Sequence, residues 1–164
     1  MSIIFMKTIA IFELLVLIFW ASCTENQKMD KDFTFTIQTM GYVIDAKNNK
    51  YTVHTLKGDT TTRLSLSSKE LSQIQHLFLS QNLHKLPPHF NPELDNKIMG
   101  ESGTKVTFEY NKCTYSFLVF AHERHNFFDG IKVKKIETFV EDVYKIIDKK
   151  ENIKRMPKSD AFSL

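Results

Sequence analysis

Two alternating runs joined by a two-residue turn constrain this chain more than any other feature in it. From 104 to 110, and again from 113 to 121, apolar and polar residues alternate with the period of a half-buried strand. With Asn111-Lys112 as the turn, Tyr110 falls opposite Cys113, Phe108 opposite Tyr115, and Val106 opposite Phe117. All six lie on one face, while Thr107, Glu109, Thr114 and Ser116 take the other. A slip of one residue would turn the whole apolar set into water, so the register is fixed.

Such a hairpin needs something to cover its apolar face. Residues 66–88 supply the first cover. Ser67 and Glu70 form a Ser-x-x-Glu capping box, in which each side chain satisfies the other residue's backbone N–H. Leu66 and Leu71 have the spacing of a hydrophobic staple across that cap. Leu71, Ile74, Leu77 and Phe78 recur at helical spacing, and Pro87 and Pro88 stop any helix from passing Leu86. After Asp129-Gly130 a second stripe follows: Ile136, Phe139, Val140, Val143, Ile146 and Ile147. Glu141 and Lys145 form an i,i+4 pair on its outer side.

Before the first helix the pattern is that of strands. Phe33, Phe35 and Ile37 alternate with threonines and Gln38, and Gly41 offers a bulge before Tyr42-Val43-Ile44. Asn48-Asn49 and Gly58-Asp59 are turn material between further β-rich runs at 50–56 and 60–66. The order β-β-β-α-loop-β-β-α predicts an α+β domain: an antiparallel sheet of four to five strands with two helices packed on one face. That domain is expected over 32–150. The tail 151–164 is basic, carries a proline, and is expected to fray. The connection 83–103 is long for a compact domain and is expected to pack through its own apolar residues.

The first 22 residues read as a signal peptide. Lys7 supplies the positive charge, 9–20 the apolar run, and Ala21-Ser22 the small residues before Cys23. Phe19-Trp20-Ala21-Ser22-Cys23 resembles the lipobox of bacterial lipoproteins, in which the signal is cut before the cysteine and that cysteine is acylated. Residues 23–31 then form a polar tether. The mature region is similar to small bacterial lipoproteins that carry a domain of unknown function. The shared points are the strand pair over 50–66, Leu66-Ser67-Ser68-Lys69-Glu70-Leu71, Asn82-Leu83-His84-Lys85-Leu86-Pro87, and a hairpin followed by a terminal helix. The resemblance implies an envelope protein facing the periplasm or the surface, held on a membrane by its lipid, and it brings no catalytic or ligand residues.

The chemistry visible in the sequence is sparse. No phosphate-cradling, dinucleotide, serine-hydrolase or Cys-x-x-Cys motif is present, and five glycines leave little room for the first two. His122-Glu123-Arg124-His125 with Asp129 is the one cluster with metal-ligand character, but its spacing is not that of a helical zinc site. His76, beside the first stripe, is expected to be partly buried, and Glu93 or Asp95 is a candidate partner for His89. Cys113 has no partner for a disulfide and is expected to be a small buried hydrophobe. The net charge of +3 sits in Lys132, Lys134, Lys135 and the 149–158 region, interleaved with acids, which is not a nucleic-acid footprint.

Two functional classes follow. The first is a non-catalytic module that binds an envelope protein or ligand, with no cofactor, no metal and no nucleic acid. The second is a small envelope hydrolase or metal-dependent enzyme using His122, His125 and Asp129. For the first class the sequence offers a contact surface. The outward face of the second hairpin strand continues past Ser116 as Leu118 and Phe120, and Phe127 and Phe128 follow. Either the 122–131 loop or the tail covers these residues, or they stay partly exposed as a contact site.

Cys23 is expected to be the acylated first residue of the mature chain. Radiolabelled palmitate should enter the wild type and not Cys23→Ala; equal labelling of both would rule out the lipoprotein reading.

Overall fold

The computed structural model describes residues 30–92, 103–120 and 126–160. Its elements are β1 (Thr34–Gln38), β2 (Tyr42–Asp45), β3 (Lys50–Val53), β4 (Thr60–Arg63), α1 (Ser68–Ser80), a 3₁₀ turn (Leu83–Lys85), β5 (His89–Phe90), β6 (Thr104–Tyr110), β7 (Cys113–Val119), α2 (Phe127–Ile147) and α3 (Glu151–Lys154). The strands form one sheet in the order β4-β3-β2-β1-β6-β7-β5. Every pairing is antiparallel except that of β5 with β7. The fold is α+β, as the element pattern predicts, but with seven strands rather than four or five.

The two extra strands have different causes, one local and one long-range. Thr39 reverses the chain between β1 and β2: its N–H donates to the Tyr42 carbonyl (2.9 Å), and its hydroxyl accepts from the N–H groups of Gly41 and Tyr42. Gly41 therefore belongs to a hairpin turn and not to a bulge. β5 is only two residues long. It is held to β7 by the Ser116 N–H donating to the Pro88 carbonyl (2.7 Å), a long-range pairing without a periodic signal of its own.

The β6–β7 hairpin has the predicted register, with Tyr110 opposite Cys113, Phe108 opposite Tyr115 and Val106 opposite Phe117. Asn111 and Lys112 both take positive φ (49° and 63°), the type I′ geometry whose twist matches the strands it joins. The alternate residues Phe35, Ile37, Ile44, Val106, Phe108 and Phe117 are fully buried and meet the apolar stripes of both helices in one core. Phe78 of α1 lies 4.6 Å, ring to ring, from Phe108, and Phe139 of α2 lies 5.0 Å from the same ring. Phe108 is thus where both helices meet the sheet.

The capping box forms as read. The Ser67 hydroxyl accepts from the Glu70 N–H (3.3 Å), and the Glu70 carboxylate accepts from the Ser67 N–H (2.8 Å). The same carboxylate holds the Lys150 ammonium at 2.9 Å, and Lys150 also donates to the Ser65 carbonyl. Burial pushes the Glu70 carboxyl up, but bonds from Ser67 and the Lys150 charge outweigh it and hold its pKa below the ordinary range. At its other end α1 gives way to Asn82 in the left-handed conformation (φ 56°), a common helix ending.

Several expectations are corrected. α2 begins at Phe127, ahead of Gly130, because the Asn126 side chain caps it by accepting from the Asp129 N–H (2.9 Å). Lys145 pairs with Asp142 (2.8 Å) and not with Glu141. His76 is exposed, and the buried polar residue of α1 is Gln75. Its amide, oriented to satisfy both groups, bonds the N–H and carbonyl of Asp30. Asp30 in turn accepts from the backbone N–H of Asp32 and of Asn111, so Asp30, placed in the expected tether, is bonded into the fold.

The expected fraying of the tail does not hold for 151–160. Ile153 is buried in the core, and the Asn152 amide donates to the Arg63 carbonyl (2.6 Å). Ser159 donates to the His54 carbonyl (2.8 Å), and Asp160 accepts from the Leu56 N–H (2.8 Å). This segment covers the β4 edge, a strand edge that would otherwise be open to pairing.

Ser67→Ala should cost about 1 kcal/mol, the usual loss for a capping side chain. Urea unfolding of the purified chain checks this, and an unchanged midpoint would show that the cap contributes nothing.

Candidate contact surface and a tyrosine recess

On the outer face of β7, Leu118 stands opposite Lys105 and is half-buried, as is Phe120 just past the strand. Both are seated on Gly103. A Cβ added there would lie 2.9 Å from Leu118 Cδ1, 2.9 Å from the Val119 carbonyl oxygen and 3.0 Å from Phe120 Cε1. Only glycine lets the chain entering β6 run this close. Phe127 and Phe128, in the first turn of α2, are 77% and 74% exposed and meet edge to face with ring centres 5.7 Å apart. Ile131, one turn on, is also exposed. The four predicted contact residues thus divide into a pair partly covered by the start of β6 and a pair standing in solvent.

Of the residues named for the alternative chemistry, only Asp129 falls among the described ones. His122 and His125 lie outside the described residues, as do Glu93, Asp95 and Cys23. Asp129 serves the α2 cap: it accepts from the Asn126 amide (3.0 Å) and from the Lys132 ammonium (2.9 Å). Among the described residues no three His, Cys, Asp or Glu side chains converge as metal ligands. His76 is on α1, His84 in the 3₁₀ turn and His89 on β5, three separate elements. Cys113 is exposed and not buried, because it is the first residue after the turn, at the end of the sheet.

Near Asp30 a recess of about 290 Å³ gathers Asp30, Asp32 and Glu109. Its carboxylates are largely engaged, Asp30 with backbone N–H groups and Glu109 with Lys47 (2.8 Å).

A second feature was not foreseen. Tyr42 of β2 and Tyr51 of β3 lie on the core side of the sheet, at neighbouring register positions near its β4 side. Their rings are nearly parallel, 6.5 Å apart and inclined by 18°. Tyr144, from the last turns of α2, meets Tyr42 edge-on at 4.9 Å. Asp148 follows one helical turn later. Two adjoining recesses, of about 450 and 510 Å³, share Tyr42, Tyr51 and Asp148. The first runs on over Ile153, Met156 and Pro157 to Ser159; the second is closed by Glu141, Tyr144 and Lys145.

The Tyr144 hydroxyl is buried without a hydrogen-bond partner. Burial above all, and then the Tyr42 phenol beside it, pushes its pKa well up. Burial, followed by the Asp148 carboxylate, pushes Tyr51 up to about 12. Both phenols are therefore neutral near pH 7 and offer ring faces and hydroxyls, not phenolate nucleophiles. The sequence signal was faint: Tyr42 and Tyr51 read as ordinary strand formers, and Tyr144 and Asp148 fall outside the apolar stripe.

For Tyr51 the folded-state pKa is raised above the unfolded value of about 10. Its contribution to stability is therefore complete below about pH 10 and is lost as pH rises towards 12. Urea midpoints measured between about pH 9 and 12 should fall less steeply for Tyr51→Phe than for the wild type. Parallel curves would mean that Tyr51 does not titrate with unfolding.

No protein-family model matches the chain, and neither a curated protein nor a solved structure matches it.

Proposed function

We propose that this protein is a cell-envelope lipoprotein whose acylated Cys23 tethers a non-catalytic α+β module, and that the module contacts another envelope protein through the head of α2. The observation that carries this reading is the exposure of Phe127 and Phe128. Two adjacent phenylalanines in water forgo the burial that stabilises most aromatic side chains by about 1.5–3 kcal/mol each. Aromatic residues are also enriched at protein contacts.

The placement of the chain's entry supports it as well. Asp30 stands seven residues after Cys23, a span of at most about 25 Å, so an acylated Cys23 holds the module close to its membrane. Asp30 is bonded at the β6–β7 turn, whereas the chain leaves β7 from the other end before α2 begins. Lys132, one turn past the exposed pair, lies over the Phe90 ring at the β5 edge. The aromatic pair is thus carried beside β5, towards the end of β7 opposite the turn where Asp30 is bonded.

A photo-activatable residue placed at 128 in the native envelope should give one discrete cross-linked adduct, and the same probe at exposed Lys57 should give none. Absence of an adduct at 128, or the same adduct from both positions, would remove the head of α2 as a contact site.

A further inference from the structure

The recess closed by α2 has a composition that points to a class of ligand. Six residues line it: Tyr42, Tyr51, Glu141, Tyr144, Lys145 and Asp148. Glu141, Tyr144, Lys145 and Asp148 recur at i, i+3, i+4 and i+7, one face of the helix, and look across at the two strand tyrosines. Three aromatic rings and two carboxylates are gathered around about 510 Å³. Lys145, the cation among the described lining residues, is paired with Asp142 at 2.8 Å. Among the described residues no hydrogen bond or ion pair engages the carboxylate of Glu141 or of Asp148, and the buried Tyr144 hydroxyl has no hydrogen-bond partner among them.

From this arrangement we infer that the recess binds an organic ammonium group, seated against the faces of Tyr42, Tyr51 and Tyr144 and balanced by Asp148 and Glu141. A ring face carries negative potential and attracts a cation that has shed part of its water. Opposite charge nearby adds a Coulomb attraction that salt weakens. An anion would meet two carboxylates there against a single lysine already paired with Asp142, and a neutral sugar would use the rings but gain nothing from those charges. The same chemistry is presented by a free quaternary amine and by a lysine side chain of another protein. This site stands apart from the aromatic pair at the head of α2 and does not depend on it.

The test is a titration of the full chain, followed by NMR or calorimetry, with choline, with n-butylammonium as a lysine mimic, and with 3,3-dimethyl-1-butanol, the uncharged counterpart of choline. Saturable binding of choline or of n-butylammonium is expected, with whichever binds more tightly identifying the source. The neutral alcohol should bind at least about tenfold more weakly, and Asp148→Asn should weaken the cation by about tenfold. Asp148 is exposed and its carboxylate makes no hydrogen bond or ion pair among the described residues, so that variant should keep the wild-type melting temperature. Tyr42→Leu should abolish binding even at low salt. No saturable binding of either cation, equal binding of the neutral alcohol, or undiminished binding by Asp148→Asn would each overturn the assignment.

Discussion

The Glu70 carboxylate is the point on which the two helices agree. It completes the cap of α1, and at the same time it receives Lys150, which lies just beyond the end of α2. A carboxylate that caps one helix therefore also holds the chain just past the end of another, eighty residues away. Because the pair is largely shielded from solvent, it is less screened than a surface ion pair, and its geometry is constrained by the Ser65 carbonyl as well. Once α1 and the end of α2 are joined at this corner, Phe78 and Phe139 converge on Phe108, and the segment that follows Lys150 is delivered to the β4 edge. Packing of the core supplies most of the stability; this corner supplies the alignment.

What could be read from the sequence was what local period and local chemistry determine. The register of β6 and β7 follows from strict alternation, and the cap of α1 follows from the Ser67 and Glu70 spacing. Both survive because no distant contact competes with them. The misses share a different cause. β5 is two residues long and exists only because Pro88 and Ser116 meet. The start of α2 was placed too late because Gly130 reads as a break, while the Asn126 cap that precedes it carries the helix through. The tail reads as weak because its apolar residues follow no helical or strand period, yet its polar side chains find backbone groups on β4 and the loop after β3.

The candidate sites divide in the same way. The sequence leaves open whether Phe127 and Phe128 are covered, and their exposure follows from the Asn126 cap, which puts both in the first turn of α2, off the stripe through Val133 and Ile136. The half-burial of Leu118 and Phe120 depends on the close passage of Gly103, which no strand pattern reveals. The tyrosine recess was invisible for a plainer reason. Its parts come from residues 42, 51 and 144, and nothing in a one-dimensional pattern says that β2 and β3 will lie under the last turns of α2. Tyr51 and Tyr144 register it only through burial, as phenols whose protons are held more tightly than usual.

The placement of β1 has a mechanical consequence. It is the first strand after Asp30, and it lies inside the sheet with β2 on one side and β6 on the other. A pull delivered through the preceding chain would first meet the Asp30 bonds to Gln75 and Asn111, and then act along the axis of β1. In that direction the ladder bonds on both flanks share the load at once and must fail together. They would not open one at a time, as they would for an edge strand peeled from its neighbour. The chain preceding the domain is therefore joined to a strand flanked on both sides, and two strands separate it from the short edge strand β5.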